Sequence, residues 1–250
     1  MRAMEDKTIS IVIPVYNEAE NLIPLYEELC GAFEGRGVKI LEIIFADDAS
    51  TDGSPGILEK LKAGDPRVRV ILSGKNRGRT NMLYLGFMAA SGALTLTIDA
   101  DRQLFAGDLA EAVKWLNGYD AVLSYRTNRL EADGFMRFAS SRVANFLRNL
   151  FLGEKFPDSG SSLCGYKTAY LKRLTLYDDL DVFIGSLLKA AGCRIKLMPV
   201  RTRPRQYGRS NYGIYNRALR KLAALFAVAW MKKNTLAPGS DGPEKRGDVF

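Results

Sequence analysis

In the run Leu94-Thr95-Leu96-Thr97-Ile98-Asp99-Ala100-Asp101-Arg102-Gln103, an apolar, β-branched-rich stretch gives way to two carboxylates and an amide spaced two residues apart. Side chains alternate across an extended chain, so Asp99, Asp101 and Gln103 are expected on one side at a strand's carboxyl end. Open α/β sheets place their ligands at that end. Three hard oxygen donors on one side suit Mg²⁺ or Mn²⁺, which keep positions for water and phosphate oxygens. The run also reads as a solvated acidic turn, and its spacing alone does not separate the two.

The composition narrows the chemistry. The 250 residues include no histidine, which excludes Ser-His-Asp and Cys-His catalysis, His-ligated zinc and imidazole proton shuttling. Cys30, Cys164 and Cys193 are odd in number and lack a C-x-x-C spacing, so free thiols in a reducing compartment are expected. The polar N-terminus leads to no secretory signal, and no stretch reaches the roughly 20 apolar residues of a membrane span. A cytoplasmic or peripheral protein is expected. The net charge is +8, yet Arg201 to Lys233 holds nine basic residues and no acidic one. That segment suits a polyanion: phosphates, an anionic membrane or nucleic acid. A solvated basic helix face fits it as well.

The elements that would position these groups alternate. Strands are expected at Thr8–Pro14, Leu41–Ala46, Val68–Leu72, from Leu94, and at Ala121–Ser124; helices at Glu20–Phe33, Pro55–Leu61, Arg79–Ala90 and Asp108–Leu116. This pattern predicts an α/β fold with a mostly parallel central sheet and helices on both faces. The first strand is followed by no G-x-G-x-x-G, which disfavours a dinucleotide turn. The second half suggests a long amphipathic helix over 133–152, strands at Ser161–Tyr166 and Ile195–Val200, and a helix over Val182–Ala191. A basic loop over 201–213, a C-terminal amphipathic helix over 214–233 and a disordered 234–250 tail follow, with 1–213 as the main domain.

In order along the chain stand Ile11-Val12-Ile13-Pro14-Val15-Tyr16-Asn17-Glu18, Asp47-Asp48-Ala49-Ser50-Thr51-Asp52-Gly53, Asn76-Arg77-Gly78 and Asp99-Ala100-Asp101-Arg102-Gln103. Arg126, the pair Arg137 and Ser141, Asp158-Ser159-Gly160 and Arg205-Gln206-Tyr207-Gly208-Arg209-Ser210-Asn211 complete the series. Over about residues 8–233 this resembles the family 2 glycosyltransferases of GT-A fold, and among them the polyprenyl-phosphate sugar transferases. The dolichyl-phosphate mannose synthases and bacterial undecaprenyl-phosphate transferases are the most similar types.

The resemblance implies a division of labour. Pro14, Tyr16, Glu18, Asp47 and Asp48 would hold the nucleoside of a UDP- or GDP-sugar. Asp99, Asp101 and Gln103 would hold Mg²⁺ or Mn²⁺ on its diphosphate, and Arg205 would contact the phosphates from a mobile loop. Ser50, Thr51 and Asp52 suit helix capping instead. Arg126, Arg137 and Ser141 would bind the phosphate of a polyprenyl acceptor; arginine forks match phosphate oxygens, and residues four apart share a helix face. Arg129 and Arg142 are further candidates. Asp99, Asp101, Arg126 and Arg137 form the implied catalytic set. A lipid phosphate is already anionic, so a chain without histidine can let it attack the anomeric carbon directly, with inversion.

Three departures stand out from the family pattern: Arg102 beside the acidic motif, Asn211 in place of a lysine, and Phe183-Ile184-Gly185 without its usual proline. A saccharide hydroxyl acceptor, with Asp179 or Asp181 as base, is the alternative. Nucleic acid is not expected as a partner, because no stacking platform or recognition helix is visible. The apolar run Leu222 to Met231, flanked by basic residues, suits an anionic membrane surface at the cytoplasmic face. Packing on the domain, on a second copy or on a membrane protein is its other reading.

Overall fold

A computed structural model describes residues 8–128, 135–205 and 214–234, with side chains over 8–128, 141–205 and 223–233. The 206–213 part of the basic loop, Arg129, the Arg137 side chain and the 235–250 part of the tail therefore lie outside the described residues. Strand β1 (Thr8–Val15) leads through α1 (Ala19–Phe33) to β2 (Lys39–Asp47), α2 (Ser54–Gly64) and β3 (Val68–Leu72). Then come α3 (Arg79–Ala89), β4 (Leu94–Thr97), α4 (Gly107–Trp115) and β5 (Ala121–Arg126). The second half adds α5 (Phe135–Leu152), β6 (Cys164–Lys167), the short α6 (Thr168–Leu171), a 3₁₀ turn at Asp181–Phe183, α7 (Ile184–Ala190), β7 (Ile195–Val200) and α8 (Ile214–Asn234).

The described strands form one sheet in the order β3-β2-β1-β4-β6-β5-β7. Pairing is parallel except around β6, which runs antiparallel to both β4 and β5. Both faces are covered. Ile9, Ile11, Ile13 and Val15 alternate onto the side of α1, α2 and α4, packing with Leu22, Leu25, Leu58 and Leu109. Val12 and Ile44 face the other way, onto Leu83 and Phe87 of α3 and Ile184 and Leu188 of α7. Strands buried on both faces read as continuous apolar runs, as β1 does.

The chain builds β1, β2 and β3 outward in one direction, then returns to place β4 on the other side of β1. That reversal opens a crevice at the carboxyl ends of β1 and β4, where such sheets bind ligands. Pro14 belongs to this geometry. Val12 pairs with Thr97, the last residue of β4, and accepts from the Ile98 amide at 3.4 Å. Two residues on, Pro14 faces the same side beyond β4's end, so its missing N–H leaves no ladder rung empty. The helix α3 lies close on this strand: a Cβ on Gly86 would sit 2.2 Å from Val12 Cγ1, so only glycine allows the approach.

Candidate active site

The acidic motif does not lie on an extended strand, as its alternation suggested. β4 ends at Thr97, and the chain turns at Ala100-Asp101, with Arg102 in the left-handed region at φ 56°. The turn still brings the three donors together: Asp99, Asp101 and Gln103 line one pocket with Leu104, Arg126, Gly160, Ser161, Ser162 and Thr202. Its far wall is the segment before β6. Ser162 accepts from Thr97 Oγ1 through its carbonyl at 2.7 Å and from the Asp99 amide through its hydroxyl at 3.3 Å. The inserted antiparallel strand is thus what closes the pocket.

Each aspartate faces a guanidinium. Arg79 donates Nε to Asp99 at 2.9 Å and also binds Asp181, which Thr80 Oγ1 holds at 3.0 Å. Arg205 donates to Asp101 at 2.7 Å and lies 3.8 Å from Glu18, while the Gln103 amide reaches the other Asp101 oxygen at 3.1 Å. Burial, Asp101 and Asp99 lift the Glu18 carboxyl to about 7, against the opposing pull of the Asn21 amide and Arg205. Burial and then Asp99 likewise raise Asp101, although the Gln103 N–H and Arg205 favour its charged form. Negative charge is therefore crowded into a poorly solvated corner. Among the described residues, no three His, Cys, Asp or Glu side chains converge as a metal cluster. Two carboxylates and the Gln103 amide in one pocket, with excess acidic charge beside them, nevertheless fit a hard divalent cation by donor type.

The nucleoside candidates part company. Asp48 accepts from the backbone amides of Arg77 at 2.6 Å and Gly78 at 2.8 Å, so here it anchors the loop before α3. Asp47 accepts from the Ser50 amide at 3.0 Å through one oxygen; its buried Oδ1 has no hydrogen-bond partner among the described residues. A buried carboxylate oxygen without a donor is costly. Pro14, Tyr16 and Glu18 stand half-buried at the end of β1 beside this loop. Of Ser50, Thr51 and Asp52, expected to cap the helix, Asp52 does so, accepting from the Ser54 amide that opens α2 at 2.9 Å, and the loop is cross-braced to the end of β1 as well. Ser50 accepts from the Asn17 amide at 2.9 Å and Asp52, through its other oxygen, from that of Ala19 at 3.1 Å. Asn17, Ala49 and Arg102 all adopt positive φ in these three loops. Such conformations concentrate where surrounding contacts over-determine them.

Arg126, at the end of β5 and also lining the pocket, is gripped in a fork by Asp158, at 2.7 and 3.1 Å. The Gly160 amide fixes the same carboxylate at 3.0 Å. This assigns work to Asp158-Ser159-Gly160, which had none in the sequence. Ser141 is half-buried on α5; Arg137 stands one turn before it on the same helix. Arg102, a concern beside the acidic motif, points to Glu28 of α1 at 3.7 Å, so its charge is spent away from the aspartates. Gly185 has a packing reason: a Cβ there would meet Leu123 Cδ1 at 2.4 Å.

Sequence reasoning missed Arg79 and the Ser161, Ser162 and Thr202 lining. A signal for Arg79 existed. It opens α3, where the helix dipole disfavours a cation, and such a residue needs a tertiary anion.

Comparison with known proteins agrees with this geometry. The family model described as "Glycosyl transferase family 2" matches residues 10–175. An undecaprenyl-phosphate 4-deoxy-4-formamido-L-arabinose transferase of Edwardsiella ictaluri is 32% identical over 208 residues, covering 82% of this chain and 63% of that protein. The chain thus spans under two thirds of the length of such relatives. A mannosyltransferase from Pyrobaculum calidifontis in complex with GDP-Man and Mn²⁺ superposes with TM-score 0.64 at 23% identity, over 92% of this chain and 65% of its own. Glucosyl-3-phosphoglycerate synthase from Mycobacterium tuberculosis, in complex with Mn²⁺, UDP-Glc and phosphoglyceric acid, superposes with TM-score 0.67 at 19% identity, over 94% and 82%. With the GT-A fold observed and two thirds of its length matched by the family model, the chain belongs to glycosyl transferase family 2.

Proposed function

We propose that this chain transfers a hexose from a UDP- or GDP-sugar to a polyprenyl phosphate at the cytoplasmic face of the membrane, with inversion and with Mg²⁺ or Mn²⁺. One observation carries the reading: Asp99, Asp101, Gln103 and Arg126 line a single pocket. The first three suit a cation on a departing diphosphate, the arginine an incoming phosphate. The 32% identity to an undecaprenyl-phosphate sugar transferase supports the acceptor class, and the Mn²⁺ complexes of structural neighbours support the cation. The free thiols of Cys30, Cys164 and Cys193 agree with a reducing compartment.

Asp99, Asp101 and Gln103 would hold the cation, which when bound neutralises charge building on the nucleoside diphosphate. Asp47 offers its unpartnered oxygen to the nucleoside, with Tyr16, Pro14 and Glu18 beside it. Arg205 bridges from Asp101 toward the diphosphate side. Arg126, oriented by Asp158, steadies the acceptor phosphate together with Arg137 and Ser141 of α5. A phosphate oxygen lone pair then forms the new bond to the anomeric carbon as the bond to the diphosphate oxygen breaks, and the electron pair leaves with the nucleotide. No proton has to be removed from the nucleophile. Asp181, one of the two carboxylates (with Asp179) that a hydroxyl acceptor could use as base, is held by Arg79 and by Thr80 Oγ1.

The test is transfer from radiolabelled UDP- and GDP-sugars to undecaprenyl phosphate and to free saccharides, with Mn²⁺ and with chelator. Metal-dependent labelling of the lipid phosphate, undiminished in Asp181→Asn, is the expected result. Labelling of saccharides alone, abolished in Asp181→Asn, would replace the lipid acceptor by a hydroxyl one.

A further inference from the structure

The two faces of α5 do different work. Along one, Asn145 accepts from Ser159 Oγ at 2.9 Å, and Arg148 pairs with Glu154 at 3.1 Å. Asn149 exchanges hydrogen bonds with the Phe156 backbone at 2.8 and 3.2 Å. These contacts fasten the helix to the segment that carries Asp158 and Gly160 into the pocket. Along the other face, Val143, Phe146, Leu147, Leu150 and Phe151 recur at helical spacing and are exposed, Phe146 at 65% and Leu150 at 68%. An amphipathic helix normally buries such a stripe, and this one turns it to solvent.

Helix α8 extends the stripe. Its inner residues Ala224, Leu225 and Val228 pack on Leu152, Leu180 and Phe183, so the apolar run noted in the sequence is partly core. Lys232 locks it down, donating to Glu154 at 2.6 Å and to the Leu152 carbonyl at 2.8 Å. Outward, Phe226 meets Phe151 edge-on with ring centroids 5.8 Å apart, and Trp230, one turn further, is 67% exposed. The aromatic and aliphatic side chains of two helices thus make one surface.

We infer that this α5–α8 face docks on an anionic lipid bilayer. The charge selects the occupant. Neither helix contains an acidic residue; Arg148 and Lys232 are turned inward on Glu154, and beyond them α5 carries Arg137 and Arg142 and α8 carries Arg217, Arg220, Lys221 and Lys233. A second copy would bring like charges together with no acidic complement. Trp, Phe and Leu bordered by Lys and Arg is the composition of helices lying in a membrane interface. No helix among the described residues is long and apolar enough to cross a membrane, so the contact is with one surface. The inference rests on the fold and its surface and deepens the proposed function: the docked helix is the one bolted to the acceptor side of the pocket.

Vesicles of phosphatidylcholine with phosphatidylglycerol, free of polyprenyl phosphate and sugar nucleotide, test it independently of any transfer assay. The chain should co-sediment with these vesicles and bind pure phosphatidylcholine about tenfold less. F146E/L150E, at exposed positions, should lower binding about tenfold or more with an unchanged urea midpoint, and F226E/W230E likewise. In W115F the remaining tryptophan is Trp230, and its emission should shift to the blue on adding anionic vesicles. Equal vesicle binding by wild type and F146E/L150E, or an unmoved Trp230 emission, would overturn the assignment. So would a solution dimer that F146E/L150E dissociates while no vesicle binding is seen, since a second copy would then own the face.

Discussion

Asp99 and Asp101 sit under the guanidinium groups of Arg79 and Arg205, so charge in the pocket is already half balanced by the protein itself. Under the proposed reaction, Asp99 and Asp101 would hold a divalent cation in competition with those arginines, which would leave Arg205 available to the diphosphate. Two predictions belong at this scale. Asp99→Asn and Asp101→Asn should each abolish the rise in melting temperature that Mn²⁺ with nucleoside diphosphate gives, and should lower turnover about 10²-fold or more. Thermal shift and initial rates measured side by side check both. Asp158→Ala removes the fork that aims Arg126 and leaves the donor side untouched. It should raise KM for the phosphate acceptor about tenfold while KM for the sugar nucleotide stays within about twofold. An equal rise in both constants would show that Asp158 acts through the fold alone.

The elements around the site are tuned by close approach rather than by bulk. β1 runs past β4 and lets Pro14 stand where no partner strand follows, and α3 comes down on β1 because Gly86 has no side chain. Arg79 and the Asp48-anchored loop depend on that seating, since both belong to the start of α3. Gly86→Ala should destabilise the protein by about 1–3 kcal/mol through overpacking against Val12. Pairing it with Val12→Ala should recover part of that loss. Urea denaturation of the two single variants and the double variant forms a cycle, and simple additivity would mean the two residues are not in conflict.

For the whole molecule, one buried polar knot joins the second half to the end of the chain. The Glu154 side chain, fully buried, accepts from Arg148, Ser186 and Lys232, linking α5, α7 and α8. Burial lowers the Arg148 pKa from its ordinary value, and Glu154 opposes that shift. Glu154→Ala leaves this arginine buried without its carboxylate and should cost about 3–5 kcal/mol, measured by denaturant titration. Acid acts elsewhere. Hydrogen bonds from Arg67 hold the Asp65 carboxyl well below the usual range against the effect of burial, with Tyr26 adding a bond at 2.7 Å. Burial raises Asp120, but Lys167 at 2.6 Å and the Arg194 amide at 2.9 Å outweigh it and bring the carboxyl below its ordinary value. Both groups bind protons less readily folded than unfolded. Their contribution is complete above the unfolded value of about 3.9 and is lost as pH falls through the lower folded values. Between pH 7 and about 5 the raised Glu18 carboxyl takes up its proton more readily folded than unfolded, so urea midpoints should rise slightly there; below about 4 they should drop as Asp65 and Asp120 protonate, and Asp65→Asn should flatten that drop.

Local pattern determined much of this protein. Apolar runs and 3.6-residue periodicity mark most of the helices and strands, because burial of one face needs no knowledge of what covers it. Strand ends carry the polar clusters for the same short-range reason, so Asp47, Asp99, Asp101 and Gln103 were legible as a candidate site. Tertiary structure decided which side chains meet. The antiparallel insertion of β6 brings Ser161 and Ser162 beside Asp99, and Arg79 reaches Asp181 across 102 residues of chain. It also turned Asp48 inward to its loop, gave Arg126 its Asp158, and divided α8 into a packed and an exposed side. Periodicity records that a face is apolar or charged, but its partner is set by strand order and helix docking, and no local spacing contains these.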